Sequence, residues 1–414
     1  MGQRIFCFFV CQLLFLGVRA QLALSGTVVS ADTHLPVAAA NVYLNNSTVG
    51  TITDEKGQFT LQRFPNGRFD LVVSCIGYET YHVTLQSNQL PEKISVQLKP
   101  AIQELQEVVV ESYDRNGWKK WGKLFMDNFM GTSANVRDCK LMNPDEVHFR
   151  YSEKKRMLVA TGSDLLIIEN KALGYILKYN LTRFEYRTAS QEFFINGYAL
   201  FENMTPRNAK QEAGWIQKRR DAYYGSMMHF MRSLFQNKIR EQKFEIKQVL
   251  QLSDAQFMYF RKRYADYLKN KEKLVTPYAE NDPSNSINQE LIPKDSMGIY
   301  TAVYQAKKNQ KIVVDSLLTG EDLAYKVDSV TLGFYFTGRL QIVCADKENP
   351  REFRPYLPRD LAFRPALSEA YLVNGKPLAV LGNGSFFDGG DLMIAGFWAW
   401  SEKMCNKLPY DYWP

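Results

Sequence analysis

The sequence predicts a mainly β protein, an N-terminal antiparallel β-sandwich followed by a strand-rich α+β region. Three observations predict it. Residues 25–99 read as short β-rich runs broken by glycine turns. Residues 147–201 hold a second series of such runs. Apolar residues at 3–4 spacing are confined to stretches such as 118–130 and 215–234. The chain has 414 residues, 45% hydrophobic and 13% aromatic, enough for two or three domains with sizeable cores.

The first 20 residues read as an export signal. Arg4 precedes an apolar run, Ile5 to Leu16, too short to cross a bilayer. Val18-Arg19-Ala20 offers small residues at −3 and −1, so cleavage is expected before Gln21. An uncleaved anchor is the other reading. The residue directly after the cleavage point is Gln21 and not a cysteine, so a lipid anchor is not indicated. No later run reaches 18 apolar residues, so no transmembrane segment is expected after cleavage. The expected location is the periplasm or an outer-membrane-associated cell envelope. The expected divisions are 1–20 signal, 21–100 sandwich, 101–117 connector and 118–414 a strand-rich α+β domain.

Within the sandwich, Thr27-Val28-Val29 and Ala40-Asn41-Val42-Tyr43-Leu44 read as strands. Val49 to Leu61 reads as a hairpin with its own turn chemistry. Asp54 accepts from amides two residues on, and Gly57 supplies a positive φ. Pro65-Asn66-Gly67 is a further turn, and Phe69 to Val73, Tyr81 to Leu85 and Ile94 to Leu98 complete about seven strands.

Several of these pieces share one pattern: Gly26-Thr27-Val28, Pro36-Val37, Ala40-Asn41-Val42, Gly50-Thr51, Thr53-Asp54, Gly57-x-Phe59, Pro65-x-Gly67 and Ile76-Gly77-Tyr78. In them the segment resembles the carboxypeptidase-D regulatory-like module, which implies a transthyretin-like sandwich without peptidase residues. It also implies a Bacteroidota-type exported protein. Leu105-Gln106-Glu107-Val108-Val109-Val110 resembles the segment that follows this module in TonB-dependent receptors. A receptor of that kind needs a plug and a barrel of roughly 22 strands, for which the remaining residues are too few and wrongly patterned.

Beyond the connector, Trp118 to Met130 is expected to be helical and Val147 to Phe201 an antiparallel meander. Thr205-Pro206 is expected to open a helix carrying Trp215, Tyr223, Phe230 and Leu234 on one apolar stripe. Lys269 to Ser296 reads as a long polar loop, with further strands at 312–314, 331–336, 340–343, 370–373 and 378–381. Arg219 to Leu234, and Gly396 to Glu402 with Leu408 to Tyr412, resemble stretches of uncharacterised proteins carrying the same module. No activity comes with that resemblance.

Charge and cysteine usage narrow the chemistry. The net charge is +7, falling to +5 without Arg4 and Arg19. Eight Lys/Arg lie between Arg207 and Arg240, against Glu212 and Asp221. The patch suits lipid headgroups or acidic glycans, but a solvated helix face is the favoured reading; export argues against nucleic acid. Cys75, Cys139, Cys344 and Cys405 are too far apart in sequence for a local metal or redox motif, and Cys344 with Cys405 is one possible disulfide.

No catalytic motif is legible. His34, His82, His148 and His229 are followed three residues on by Val37, Leu85, Tyr151 and Arg232, so no H-x-x-E zinc pair exists. Ser152-Glu153-Lys154-Lys155 matches S-x-x-K but falls in an expected hairpin. No cofactor, no metal site and no catalytic residue is expected. The sharpest candidate binding group is Arg219, Tyr223, Ser226, His229 and Arg232, with positions three apart sharing a helix face. The expectation is a non-catalytic exported envelope protein that binds or scaffolds an envelope protein or glycan. The alternative is an envelope hydrolase acting through Ser226 and His229. The aromatic cluster from Phe386 to Trp413 either closes a core or forms a sugar-stacking platform.

Overall fold

The computed structural model describes residues 23–101, 113–274, 296–307 and 311–414. The expected signal segment and Val108-Val109-Val110 lie outside them. The described chain is mainly β and built from several largely antiparallel sheets.

The N-terminal unit is a β-sandwich. One sheet has β1 (Ala23–Ser30) between β4 (Gln58–Gln62) and β7 (Ile94–Leu98). The other runs β3 (Gly50–Ile52), β2 (Asn41–Leu44), β5 (Arg68–Ser74), β6 (Tyr81–Gln86). Alternating residues Leu24, Val28, Phe59, Leu61, Leu71 and Val96 fill the space between the sheets. One detail departs from a purely antiparallel reading: β7 lies parallel to β1. Gly26 makes that approach possible, since a Cβ there would meet the Ile94 carbonyl at 2.3 Å. The turn chemistry at Asp54 is as read: its Oδ1 accepts from the amides of Lys56 (2.9 Å) and Gln58 (2.7 Å), and Gly57 has φ +70°.

A six-stranded meander follows. Its long strand Tyr175–Arg187 pairs along one edge with Glu192–Asn203, and on the other edge divides between Leu166–Asn170 and Met157–Gly162. The helix Gly117–Phe129 lays Phe125 and Phe129 on this sheet against Phe149, Phe184 and Tyr179. The distal part holds a five-stranded sheet, centred on Arg339–Glu348, and a four-stranded sheet ending in Phe386–Phe387. Its core gathers around Phe230, Phe334 and Trp398.

Three sequence expectations are corrected. The first concerns helix boundaries. The helix expected to open at Thr205-Pro206 starts at Ala209, because Asn208 adopts extended geometry and its side chain accepts from the Gln211 amide at 2.9 Å. It ends at Tyr223, and Gly225 at φ +83° breaks the chain before a second helix, Met227–Phe235, begins. The five candidate residues therefore do not share one helix. Second, Cys344 and Cys405 do not pair: Cys344 belongs to the distal core and Cys405 to the meander core, and all four described cysteines are free thiols. Third, the expected loop from Lys269 begins as helix, since Asp254–Leu274 is one element, packed on Met297–Gln305 through Phe257 and Val303.

The capping geometry predicts unequal effects of two substitutions. Asn208→Ala removes a used cap and is expected to cost about 1 kcal/mol in urea denaturation, whereas Thr205→Ala should leave the midpoint nearly unchanged. A larger loss from Thr205→Ala would contradict the assigned helix start.

Candidate functional site

Two clefts lie on either side of a wall formed by Phe386 and Tyr410. The first, about 310 Å³, opens at the start of the helix Met227–Phe235 and is lined by Ser226, Lys347, Trp400, Glu402, Asn406 and Lys407, among others. The helix start is filled from within the chain. Ser226 is its N-cap, its Oγ accepting from the His229 amide at 3.1 Å. Glu402 Oε1 accepts from the Met227 amide at 2.8 Å, so a carboxylate already occupies the positive end of the helix. Burial raises the Glu402 pKa above the usual carboxylate range, with the Met227 amide and Lys407 pulling it down. Burial lowers the pKa of Lys407, and Glu402 opposes that shift.

The sequence candidates disperse around this cleft. Ser226 alone lines it. His229 is buried, and both ring nitrogens are committed: Nδ1 accepts from the Gly225 amide at 3.2 Å and Nε2 meets Gln242 Oε1 at 2.9 Å. An accepting Nδ1 places the proton on Nε2, so the imidazole is a neutral donor to Gln242. Burial lowers its pKa, which favours the same neutral form. Arg219 faces elsewhere. Its Nε donates to the Leu173 carbonyl at 2.7 Å and its guanidinium lies 4.0 Å from the Tyr175 ring centroid. Tyr223 is buried in the meander core.

Arg232 is 1% exposed. Its Nε donates to the Asn383 carbonyl (2.9 Å) and its Nη2 to the Tyr410 carbonyl (3.0 Å). The guanidinium lies 3.9 Å from the Trp413 ring centroid and 5.3 Å from that of Tyr223. No carboxylate pairs with it among the described residues. It clamps the C-terminal segment rather than facing a ligand.

The second cleft, about 250 Å³, lies between the sandwich and the body. Arg63, Arg68 and Asp70 come from the sandwich; Phe387, Asp411 and Trp413 come from the body. Arg63 is a non-glycine residue at φ +65°, a backbone state that costs about 1 kcal/mol or more and that a glycine would relieve. The Arg68 guanidinium lies 4.3 Å from the Phe387 ring centroid. Asp70 accepts from Thr84 Oγ1 at 2.7 Å and Asp411 from the Thr48 amide at 2.9 Å, which fixes both carboxylates. Trp413 is 56% exposed, with Arg232 against one face of its ring. The C-terminal aromatics thus divide. Phe397 and Trp398 close the distal core, while Trp413 stands at a cleft mouth.

Sequence reasoning missed Glu402, Lys407, Arg63 and Arg68. The first two sit in a stretch whose aromatics mask its charges. The only local signal for Arg63 is its place two residues before a Pro-Asn-Gly turn. Among the described residues, no group of three His, Cys, Asp or Glu side chains could hold a metal ion, and no helix is long and apolar enough to cross a membrane.

Residues 24–110 match the CarboxypepD_reg-like domain family. This chain therefore carries that domain, and the match covers the sandwich and none of the body. No curated protein matches the chain. Among solved structures, similarity extends to a type II cohesin–X-dockerin complex from Acetivibrio cellulolyticus, at 20% identity over 20% of this chain and 64% of that one, with a TM-score of 0.17. It also extends to a membrane-associated protein of unknown function from Bacteroides fragilis, at 13% identity over 45% of this chain and 84% of that one, with a TM-score of 0.16. Likenesses at these scores carry nothing about either cleft.

Two outcomes are expected from the buried cations. Arg232→Met leaves the carbonyls of Asn383 and Tyr410 without a donor, and unfolding free energy should fall by about 2–4 kcal/mol. Lys403 is buried, its Nζ lacks a hydrogen-bond partner and lies 3.3 Å from the Phe193 ring centroid; burial pushes its pKa down to about 7. An unfolded lysine keeps its proton to about pH 10.4, so between those values the unfolded chain binds more protons. Stability should therefore rise with pH above about 7 by up to about 1.4 kcal/mol per unit, and Lys403→Met should remove that slope in denaturant titrations. An unchanged slope in the variant would place the titration elsewhere.

Proposed function

We propose that the chain is an exported, non-catalytic cell-envelope protein that binds a glycan, with the junction cleft as its binding site and the sandwich as a structural wall of that cleft. The observation that carries the non-catalytic reading is the commitment of His229. Nucleophilic chemistry at Ser226 needs a base within hydrogen-bond reach of its Oγ. Both nitrogens of His229 are engaged by Gly225 and Gln242, and the Ser226 oxygen serves as a helix cap. The alternative, a hydrolase using Ser226 and His229, draws only on Ser226 reaching the first cleft.

The glycan reading rests on the chemistry of the junction cleft. A sugar ring offers a C–H face and vicinal hydroxyls. Trp413 and Phe387 offer ring surfaces, while Arg63, Arg68, Asp70 and Asp411 offer donors and acceptors around them. The carboxylates and Arg68 are held in place by Thr84, Thr48 and the Phe387 ring, so little order must be created on binding. Apolar rings with a few fixed polar groups are the usual makeup of a small-ligand site.

Ester, amide and glycoside reporter substrates should be turned over no faster than in buffer; turnover that disappears in Ser226→Ala would overturn the non-catalytic reading. Envelope polysaccharide fragments should raise the thermal midpoint of the wild-type protein. Trp413→Ala and Arg68→Ala should each weaken binding by about tenfold or more. Equal affinity in both variants would remove the junction cleft as the site. Cell fractionation should find the protein in the envelope with its N-terminus at Gln21; intact protein in the cytosol would refute export.

A further inference from the structure

The loop 349–364 joins the strands Arg339–Glu348 and Pro365–Leu372 of the five-stranded sheet. It is fixed from inside. Asn349 Nδ2 donates to the carbonyls of Leu361 (3.1 Å) and Arg364 (3.0 Å), and Arg354 Nε donates to the Asn349 carbonyl (2.9 Å). Phe353 is buried against Phe397 and Trp400, and Ala362 is buried as well. Pro350, Pro355 and Pro358 restrict the backbone further.

This anchored loop nevertheless turns large apolar groups outward. Phe363 is 78% exposed and Tyr356 65%, with Leu361 also exposed. Arg351, Arg359 and Arg364 of the same loop are exposed as well. The Arg354 guanidinium lies 4.8 Å from the Phe363 ring centroid, and Arg354 also reaches Glu348 at 3.8 Å. The loop's own carboxylates are Asp360, which is exposed, and Glu352, which is half-buried and lines the first cleft. Four arginines thus face two carboxylates across 16 residues, and one of those carboxylates is directed away.

We infer that this loop seats the protein on an anionic lipid bilayer. Aromatic rings with a polar or cationic rim suit the headgroup level, where the ring is buried while guanidinium groups pair with phosphates. Each arginine near an anionic surface contributes about 1 kcal/mol. Because the loop is held by Asn349, Arg354 and Phe353 before any contact, insertion orders little new chain. The inference is independent of the glycan reading, since neither Phe363 nor Arg359 lines either cleft.

The test is co-sedimentation of the purified full chain with vesicles of phosphatidylcholine alone or of phosphatidylcholine and phosphatidylglycerol at 3:1. Binding should require phosphatidylglycerol and weaken with added salt. The pairs Tyr356→Ser/Phe363→Ser and Arg359→Ser/Arg364→Ser should each lower the partition coefficient about fivefold or more, the scale set by one arginine contact. Thermal unfolding should be unchanged, because all four side chains are exposed. Failure of the wild-type protein to bind the mixed vesicles, or wild-type binding by both variants, would overturn the inference. So would equally tight binding to soluble polyglutamate that ignores Phe363→Ser, which would mark the patch for an acidic protein.

Discussion

The fold turns on a buried cation that no carboxylate pairs with among the described residues. Arg232 donates to two carbonyls through Nε and Nη2 and lies against two aromatic rings, while its Nη1 has no hydrogen-bond partner; one of those carbonyls and one of those rings belong to the C-terminal segment. Taking a guanidinium out of water costs several kcal/mol, and it stays charged at any ordinary pH. The cost is offset only while Tyr410 and Trp413 remain in place. That segment in turn touches both the meander body and the sandwich. The amides of Met404 and Cys405 donate to the carbonyls of Phe129 and Met130 in the meander body. Asn170 donates to the Cys405 carbonyl. The Tyr410 amide donates to the Asn46 carbonyl of the sandwich at 2.7 Å. Loss of the clamp would therefore be felt in three cores rather than one.

The same segment builds both clefts, which explains why charge is buried there. Glu402 and Lys407 line the first, Asp411 and Trp413 the second, and Tyr410 separates them. Burial opposes the charged form of Glu402, Lys403 and Lys407. At 402 and 407 these groups place polarity beside open space. This pattern is common at binding sites and also arises from structural networks.

Legibility in the sequence follows interaction range. Asp54 and Gly57 form a turn within five residues, so their roles follow from residue type alone. The strand run at 147–151 carries its own alternation and appears where expected, and the run expected at 331–336 forms a strand over Thr331–Phe334. Spacing also placed Arg219 and Tyr223 near the face of Ser226, His229 and Arg232, but spacing is blind to a backbone break, and Gly225 makes one between them. The partners of Arg232 lie 151 and 178 residues away. No local pattern distinguishes an arginine that will meet two distant carbonyls from one on a solvated helix face. The basic run from Arg207 to Arg240 loses three of its eight members for this reason: Lys218 pairs with Asp138, Arg219 meets backbone carbonyls, and Arg232 is interior, while Arg207, Lys210, Arg220, Lys238 and Arg240 are exposed.

The sandwich illustrates how a recognised domain can leave function undetermined. Its own core is complete, with Leu24, Val28, Leu71 and Val96 enclosed between its sheets, and that pattern is what the family match captures. Its contribution to the site comes from residues outside the pattern. Asn45, Asn46 and Ser47 lie at the end of β2. They bond to Ala199 and Phe201 of the meander's last strand, while Tyr43 and Val72 pack on Leu200. These contacts set the sandwich at one angle against the body. Only at that angle do Arg63 and Arg68 face Phe387 and Trp413. Arg63 holds its turn at φ +65°, where a glycine would sit at lower cost, and its side chain lines the junction cleft. The body, which no family match covers, decides what that side chain faces.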